Sequence, residues 1–269
     1  MQPSVAAVIF LIVCILAWLA WLAVVLLRKP INPMRNALLL GAKLLTTFLW
    51  RTRGPRTVPL IPGRGCVIVC NHRSSVDPFF IQRGTQWPIH WMVAGEYVRH
   101  PALRWFLEMC EVIPANRGGV DTAATKRALR YLAKGEVVGM FPEGRINRTD
   151  KLFLPIRPGA AVVAIKTRAV ILPYYLEGSP YGGTAASPLG MPTTVTVQYA
   201  PPIDAAPYAD RIAQGEDETA VTRELLFNTI KAIARMAGQP DFEPEMAGRS
   251  WKPALPGAVE AAAVSSENR

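Results

Sequence analysis

The sequence predicts an α/β protein with a mainly parallel sheet flanked by helices, preceded by an N-terminal transmembrane helix and an interfacial helix. Three observations lead there. Residues 5–27 carry no charge, no proline and no glycine. The stretch "NALLLGAKLLTTFLW" (36–50) is largely apolar but too short to cross a bilayer. Beyond residue 56, short β-branched or aromatic runs alternate with helical stretches, the pattern of parallel strands joined by crossover helices.

As a helix, residues 5–27 extend roughly 34 Å at about 1.5 Å per residue, enough for a hydrocarbon core about 30 Å thick. A cleaved signal peptide has a basic start, a shorter apolar region and a small-residue cleavage site. No basic side chain precedes this segment, so it reads as a retained anchor. Arg28, Lys29, Arg35, Lys43, Arg51, Arg53 and Arg56 follow it, and positive charge stays on the cytoplasmic side. The expectation is a single-pass membrane protein with its body in the cytoplasm, at the inner membrane if bacterial. In 36–50, Asn36, Lys43 and Thr47 recur at i, i+7 and i+11. That narrow polar stripe with basic flanks suits a helix lying in the bilayer interface; an ordinary core helix is the other reading. The net charge of +10 fits attraction to anionic lipid headgroups. No nucleic-acid motif accompanies it, so nucleic acid is not an expected partner.

Of the four cysteines, Cys14 lies in the anchor segment and the others face a reducing compartment, which excludes a disulfide framework. Cys66, Cys70 and His72 share strand parity, but no Cys-x-x-Cys pair supports zinc. Buried cysteine acting as a small hydrophobe is the expectation, with no metal.

Strands are expected at 65–70, 89–94, 110–115, 137–141, 169–175 and 193–200, each of ordinary strand length. Residues 122–134 read as a helix with Asp121 as N-cap, Gly135 just past its end, and Ala124, Ala128, Leu129 and Leu132 on one face. Residues 219–237 read as a final amphipathic helix. The segment after Gly238 is rich in Pro, Ala, Ser and Glu, the composition of a disordered tail. The expected organisation is an anchor (1–29), an interfacial helix with basic linker (30–56), a catalytic domain (57–237) and a tail (238–269).

Folds of this kind place reactive groups at the carboxyl ends of their strands. His72 follows the strand run "CVIVC", and Asp77 stands five residues on, where Pro78 suits the first turn of a helix. A tight turn brings the two together, so that a carboxylate on one imidazole nitrogen fixes the tautomer and raises the basicity of the other. That is a general base with its orienter. A helix-capping Asp beside a structural His is the competing reading. No G-x-S-x-G elbow is present, so the attacked hydroxyl is expected on a substrate. Two further strand runs end in "VIPANRGG" (112–119) and "FPEG" followed by Arg145 and Arg148; basic side chains and exposed backbone amides there suit a phosphate.

The blocks "NHRSSVD", "VIPANR", "FPEG" and "VILPYY" resemble, in order and spacing, the four motifs of the phospholipid/glycerol acyltransferases, the 1-acylglycerol-3-phosphate acyltransferase family. The resemblance covers about residues 60–200. It implies transfer of an acyl chain from a thioester, acyl-CoA or acyl carrier protein, to a lysophospholipid hydroxyl, with 1-acylglycerol-3-phosphate the leading acceptor and no bound cofactor. It implies His72 as base, Asp77 as its orienter, and Arg117, Glu143 and Gly144 lining the acceptor site. The chain departs from the family at Glu111, where Gly is usual, and at Asn116, where Asp is usual. In the third block Arg145 stands at the hydroxyl position and Ile146 at the arginine position, so Arg145 is expected to supply a cation shifted by one place. Pro173 in the fourth block is expected to shape a strand end. Alternatives are an acyltransferase for another lysolipid, such as one with an amino-acid headgroup, a membrane-associated lipid hydrolase or thioesterase, and a non-catalytic lipid-binding scaffold.

Overall fold

The computed structural model describes residues 12–16, 18–20, 23–24, 33–85, 87–116 and 121–248. The expected anchor, residues 5–27, lies for the most part outside the described residues; its described parts are helical. Among the described residues no helix is long and apolar enough to cross a membrane.

The described strands are β1 (Cys66–Cys70), β2 (Ile89–Ala94), β3 (Ile113–Ala115), β4 (Val137–Met140), β5 (Val170–Glu177), β6 (Thr196–Tyr199) and β7 (Ile203–Asp204). They form one sheet in the order β3-β2-β4-β1-β5-β6, with β7 also beside β5. The first five run parallel, and β6 and β7 run antiparallel to β5. The expected α/β architecture with a mostly parallel sheet is therefore present. β1 lies at the centre, Cys66 pairing with Val137 on one side and Val170 on the other. Every residue of β1 is buried, which is why its sequence is continuously apolar rather than alternating.

Side chains leave the sheet on two sides. Val67, Val69, Met140 and Ile171 pack into the core shared with helices Thr122–Ala133, Gly159–Thr167 and Glu218–Met236. Cys66, Ile68, Cys70 and Leu172 pack on the opposite side with Trp50, Phe80 and Ile81. The helix Thr122–Ala133 keeps its expected limits because both ends carry local signals. Asp121 accepts from the Ala124 N–H at 2.9 Å, and Gly135 turns the chain at φ 79°.

Pro173 sits inside β5, where a missing N–H would ordinarily break a ladder. It falls between the β7 pairings at Val170 and Ile171 and the β6 pairings that begin at Tyr174. Its lost donor thus coincides with the change of antiparallel partner, and its carbonyl still accepts from Ala200 N–H at 3.0 Å.

Residues 36–50 form a helix, Pro33–Leu44, followed by a wider π-helical turn, Leu45–Leu49. The Trp50 N–H reaches back to the Leu45 carbonyl at 3.1 Å, and this extra width turns the ring into the domain. There the indole is fully buried, donates Nε1–H to the Pro188 carbonyl at 3.1 Å and meets Phe80 edge-on at 5.3 Å. The expected polar stripe is corrected at one of its three positions: Asn36 is buried, whereas Lys43 is half-buried and Thr47 exposed, and Met34, Leu44, Leu45 and Phe48 also point outward, the last 76% exposed. Helical periodicity located a stripe but could not say that the domain would cover Asn36.

The expected tail boundary at 238 is also corrected. The Ile156 N–H donates to the Glu245 carbonyl at 2.8 Å and the Ala247 N–H to the Ile156 carbonyl at 2.9 Å, while Phe242 lies against Phe153 with centroids 6.1 Å apart. Two apolar anchors, Phe242 and Met246, outweigh the polar composition around them. Residues 249–269 lie outside the described residues.

Gly139 in β4 leaves no room for a Cβ, which would meet the Trp91 ring. That ring stacks on Phe141 at 4.9 Å, and Phe141 stacks on the His72 imidazole at 3.8 Å. Gly139→Ala is expected to overpack this column and destabilise the fold by about 1–3 kcal/mol, seen as a lower thermal-unfolding midpoint of the full chain in detergent. An unchanged midpoint would mean that Trp91 swings aside at no cost.

Candidate active site

The end of β1 is tied to β5 by a side chain. The buried Asn71 amide donates to the Leu176 carbonyl at 2.9 Å, and its Oδ1 accepts the Leu176 N–H at 2.9 Å. This imitates one further rung of the ladder. The backbone of His72 is then gripped from both sides: its N–H donates to Glu143 Oε1 at 2.9 Å and its carbonyl accepts the Asn147 N–H at 2.7 Å.

Asp77 opens the helix Asp77–Gln82, but its carboxylate turns away from that helix. Oδ2 accepts from His72 Nδ1 at 2.9 Å and from the N–H groups of Arg73 and Ser74 at 2.7 Å each. A carboxylate only accepts, so Nδ1 carries the proton and Nε2 keeps a lone pair. The His72 side chain is 16% exposed and that of Asp77 is 0% exposed. The pair therefore presents one accessible basic nitrogen over a buried negative charge, the geometry of a general base.

Glu143, expected to line an acceptor pocket, is instead buried. Oε1 accepts the His72 N–H and Oε2 the Leu154 N–H, each at 2.9 Å. It braces the loop that carries the imidazole. Burial pushes its carboxyl up to about 7, against the lowering effect of those two N–H groups and of Arg73. Gly144 follows with φ 67°, a left-handed turn that a side chain would strain, and is exposed. Arg145 is half-buried beside it. Arg117 lies outside the described residues; just before it, the Asn116 N–H donates to Asp121 Oδ2 at 2.7 Å.

Spacing did not single out Arg73 or Phe141. The Arg73 guanidinium donates to the carbonyls of Asn147, Thr149 and Lys151, lashing the 147–151 loop to the His72 turn, and Phe141 supplies the face on which His72 stacks. Arg73 sits within "NHRSSVD", so its presence was visible while its partners were not. Burial pushes the Cys66 thiol up to about 12 and that of Cys70 well above its usual range, so neither is a thiolate ligand. Among the described residues no group of three or more His, Cys, Asp or Glu could hold a metal ion.

A parallel sheet with a His–Asp pair at its central strand end defines a class before any comparison is made. The family model described as Acyltransferase matches residues 50–177, which take in β1 to β5 and this pair. Over these residues the chain is similar to that family. It is 29% identical over 119 residues to the 1-acyl-sn-glycerol-3-phosphate acyltransferase of Bacillus subtilis, a stretch covering 44% of this chain and 58% of that protein. To the protein of the same name from Cocos nucifera it is 26% identical over 188 residues, 66% of this chain and 59% of that one. The chain spans about half the length of the curated relatives it matches. The crystal structure of the 1-acyl-sn-glycerophosphate (LPA) acyltransferase PlsC from Thermotoga maritima superposes with a TM-score of 0.55 at 18% identity, over 81% of this chain and 83% of that one. That likeness establishes the shared fold.

The brace has a pH signature. The Glu143 carboxyl ionises near 4.5 in the unfolded chain and near 7 in the folded one, so between these values the unfolded state has released a proton that the folded state keeps. Its contribution is fully present below about pH 4.5 and is lost as pH rises through about 7, by about 2–4 kcal/mol. Glu143→Gln removes this titration, so the stability difference between parent and variant should shift toward the variant across that window. Unfolding curves at stepped pH give the difference; if it stays constant, Glu143 does not titrate as argued.

Proposed function

We propose that the protein is a membrane-bound O-acyltransferase. It moves a fatty acyl chain from acyl-CoA or acyl carrier protein to the free hydroxyl of a lysophospholipid, with conversion of 1-acylglycerol-3-phosphate to phosphatidic acid the foremost reaction. The observation that carries this reading is the 2.9 Å bond from His72 Nδ1 to Asp77 Oδ2 at the end of β1, in a turn where no serine or cysteine is hydrogen-bonded to the ring. His72 Nε2 takes the proton of the acceptor hydroxyl as its oxygen attacks the thioester carbonyl. The tetrahedral intermediate collapses, the carbon–sulfur bond breaks, and the imidazolium returns the proton to the departing thiolate. Asp77 holds the ring and stabilises its charged form. Gly144, Arg145 and Arg117 receive the acceptor's phosphate, with Glu143 acting behind them on the loop. A different lysolipid acceptor is the second reading, favoured by Ile146 standing where the family carries arginine.

Attachment to lipid follows from the N-terminal region. The charge-free segment 5–27 serves as the anchor. Met34, Leu44, Leu45 and Phe48 point outward from the helix that follows. Trp105 is 55% exposed on the same side of the sheet, next to Phe106, whose ring meets Phe79 at 6.1 Å; Phe79 in turn stacks with Trp50 at 6.3 Å. Such an apolar face beside Arg51 and Arg53 suits the interface of an anionic bilayer. The His72 ring belongs to this side of the sheet through Phe141 and Trp91, so an acyl chain and a lysolipid reach Nε2 from the membrane.

His72→Ala should lower acyl transfer by at least about 10²–10⁴-fold while the far-ultraviolet circular dichroism is kept, and Asp77→Asn should be severe for loss of the orienting charge. Initial rates with phosphate-bearing and phosphate-free lysolipids decide the acceptor class; near-normal turnover by a folded His72→Ala protein would end the mechanism. For the membrane face, a chain lacking residues 1–28 should still sediment with anionic vesicles at low salt. That binding should weaken with added salt and with Phe48→Glu. A truncated protein that stays in the supernatant at low salt would leave 5–27 as the only attachment.

A further inference from the structure

At the amino end of the sheet, away from the His72 turn, a buried histidine stands between two carboxylates. The helix Pro101–Met109 ends at Cys110, and Glu111 follows in the left-handed region at φ 49°. The Glu111 N–H donates to the Glu108 carbonyl at 3.0 Å, and the Val112 N–H to the Leu107 carbonyl at 3.3 Å. That is a Schellman ending, whose left-handed place glycine ordinarily takes. A glutamate there is strained, and it is also where the chain departs from the acyltransferase motif. A further contact must hold the turn.

His90, the second residue of β2, makes that contact. Its side chain is 2% exposed, and Nδ1 lies 3.1 Å from the Glu111 carbonyl oxygen and 3.8 Å from Glu111 Oε2. A carbonyl only accepts, so Nδ1 carries a proton. Nε2 stands 3.1 Å from Oε2 of Glu136, in the turn before β4. That oxygen also only accepts, so a lone pair on Nε2 would oppose it and a second proton removes the conflict. The imidazole lies flat on the Tyr131 ring, with centroids 3.6 Å and planes 7° apart, a face that attracts a cation. Two effects work the other way. Burial favours the neutral ring, and Arg127 lies 6.0 Å from the Tyr131 centroid. Both carboxylates are more than a third exposed, which screens them, but together with the carbonyl they face the imidazole at both nitrogens.

We infer that His90 is held as an imidazolium and acts as a pH-sensitive clamp, fastening the strained Glu111 turn and the start of β3 to the turn before β4. The sheet order β3-β2-β4 places the ring between the two turns it joins. While the second proton is present, the charged ring holds both. As pH rises and that proton leaves, Nε2 turns from an attractive to a repulsive neighbour of Glu136, and the clamp's contribution to stability is lost. β3 is the edge strand of the sheet, so it is the element that loosens. The inference stands on the geometry at the amino end of the sheet and not on the acyl-transfer reading.

The test follows the imidazole nitrogens of the full chain in detergent by nitrogen–proton correlation spectra. The histidines are His72, His90 and His100, so His90→Gln assigns the ring by removing its signals. The His90 ring should carry protons on both nitrogens at about pH 7 and release the second only above the ordinary histidine value of about 6.5. Glu136→Gln should lower the ring's proton affinity by roughly three- to tenfold. Hydrogen exchange of peptides spanning 108–115, expressed as protection factors, reads the clamp itself. Protection in the parent should fall as the second proton leaves, and that fall should vanish in His90→Gln. A ring with a single proton at about pH 7 overturns the inference, as does a fall in protection of equal size in parent and variant. If His90→Gln does not fold, the Glu136→Gln titration decides: an unchanged proton affinity overturns the clamp.

Discussion

Oδ2 of Asp77 accepts three hydrogen bonds at once, from His72 Nδ1 at 2.9 Å and from the N–H groups of Arg73 and Ser74 at 2.7 Å each, and the rest of the site depends on that convergence. A buried carboxylate is costly unless donors surround it. Here the donors belong to the turn that must be held, so solvating the charge and shaping the loop are one event. The other oxygen, Oδ1, has no partner among the described residues. The negative charge is therefore least satisfied when the imidazole is neutral, and a protonated ring relieves it, which is what a base needs midway through proton transfer.

The turn is held from outside as well. Glu143 at the end of β4 grips the His72 N–H, Asn147 grips its carbonyl, and Asn71 fastens the preceding residue to β5. β1 lies between β4 and β5 in the sheet, so the two neighbouring strand ends deliver these contacts directly. The strand order is what makes a parallel sheet a stage for chemistry: its central carboxyl end is where adjacent loops converge.

The sheet also separates two environments. One side carries Trp50, Phe79, Phe106 and the outward apolar residues of the N-terminal helix, and the His72 ring belongs to it. The other carries the three long helices. The third block's departure from the acyltransferase motif has a structural counterpart. Arg145 and Ile146 follow Gly144, whose left-handed turn redirects the chain, and Arg148 comes to rest against Tyr181.

Much of this was legible in the residues themselves. The alternation of apolar runs with amphipathic stretches foretold the parallel α/β sheet, and Asp121 and Gly135 marked one helix to within a residue, because periodicity and capping are local properties of a chain. The spacing from His72 to Asp77 foretold a pair, because five residues of turn allow few other outcomes. Tertiary structure alone decided that Glu143 would turn inward as a brace, that Asn36 would be covered, and that residues 239–248 would dock. Those outcomes depend on partners far along the chain: His72 meets Glu143 across 71 positions and Asn71 meets Leu176 across 105. A polar side chain in a sequence looks the same whether it will face water, a substrate or a buried N–H, and only the packed fold supplies the partner that distinguishes them.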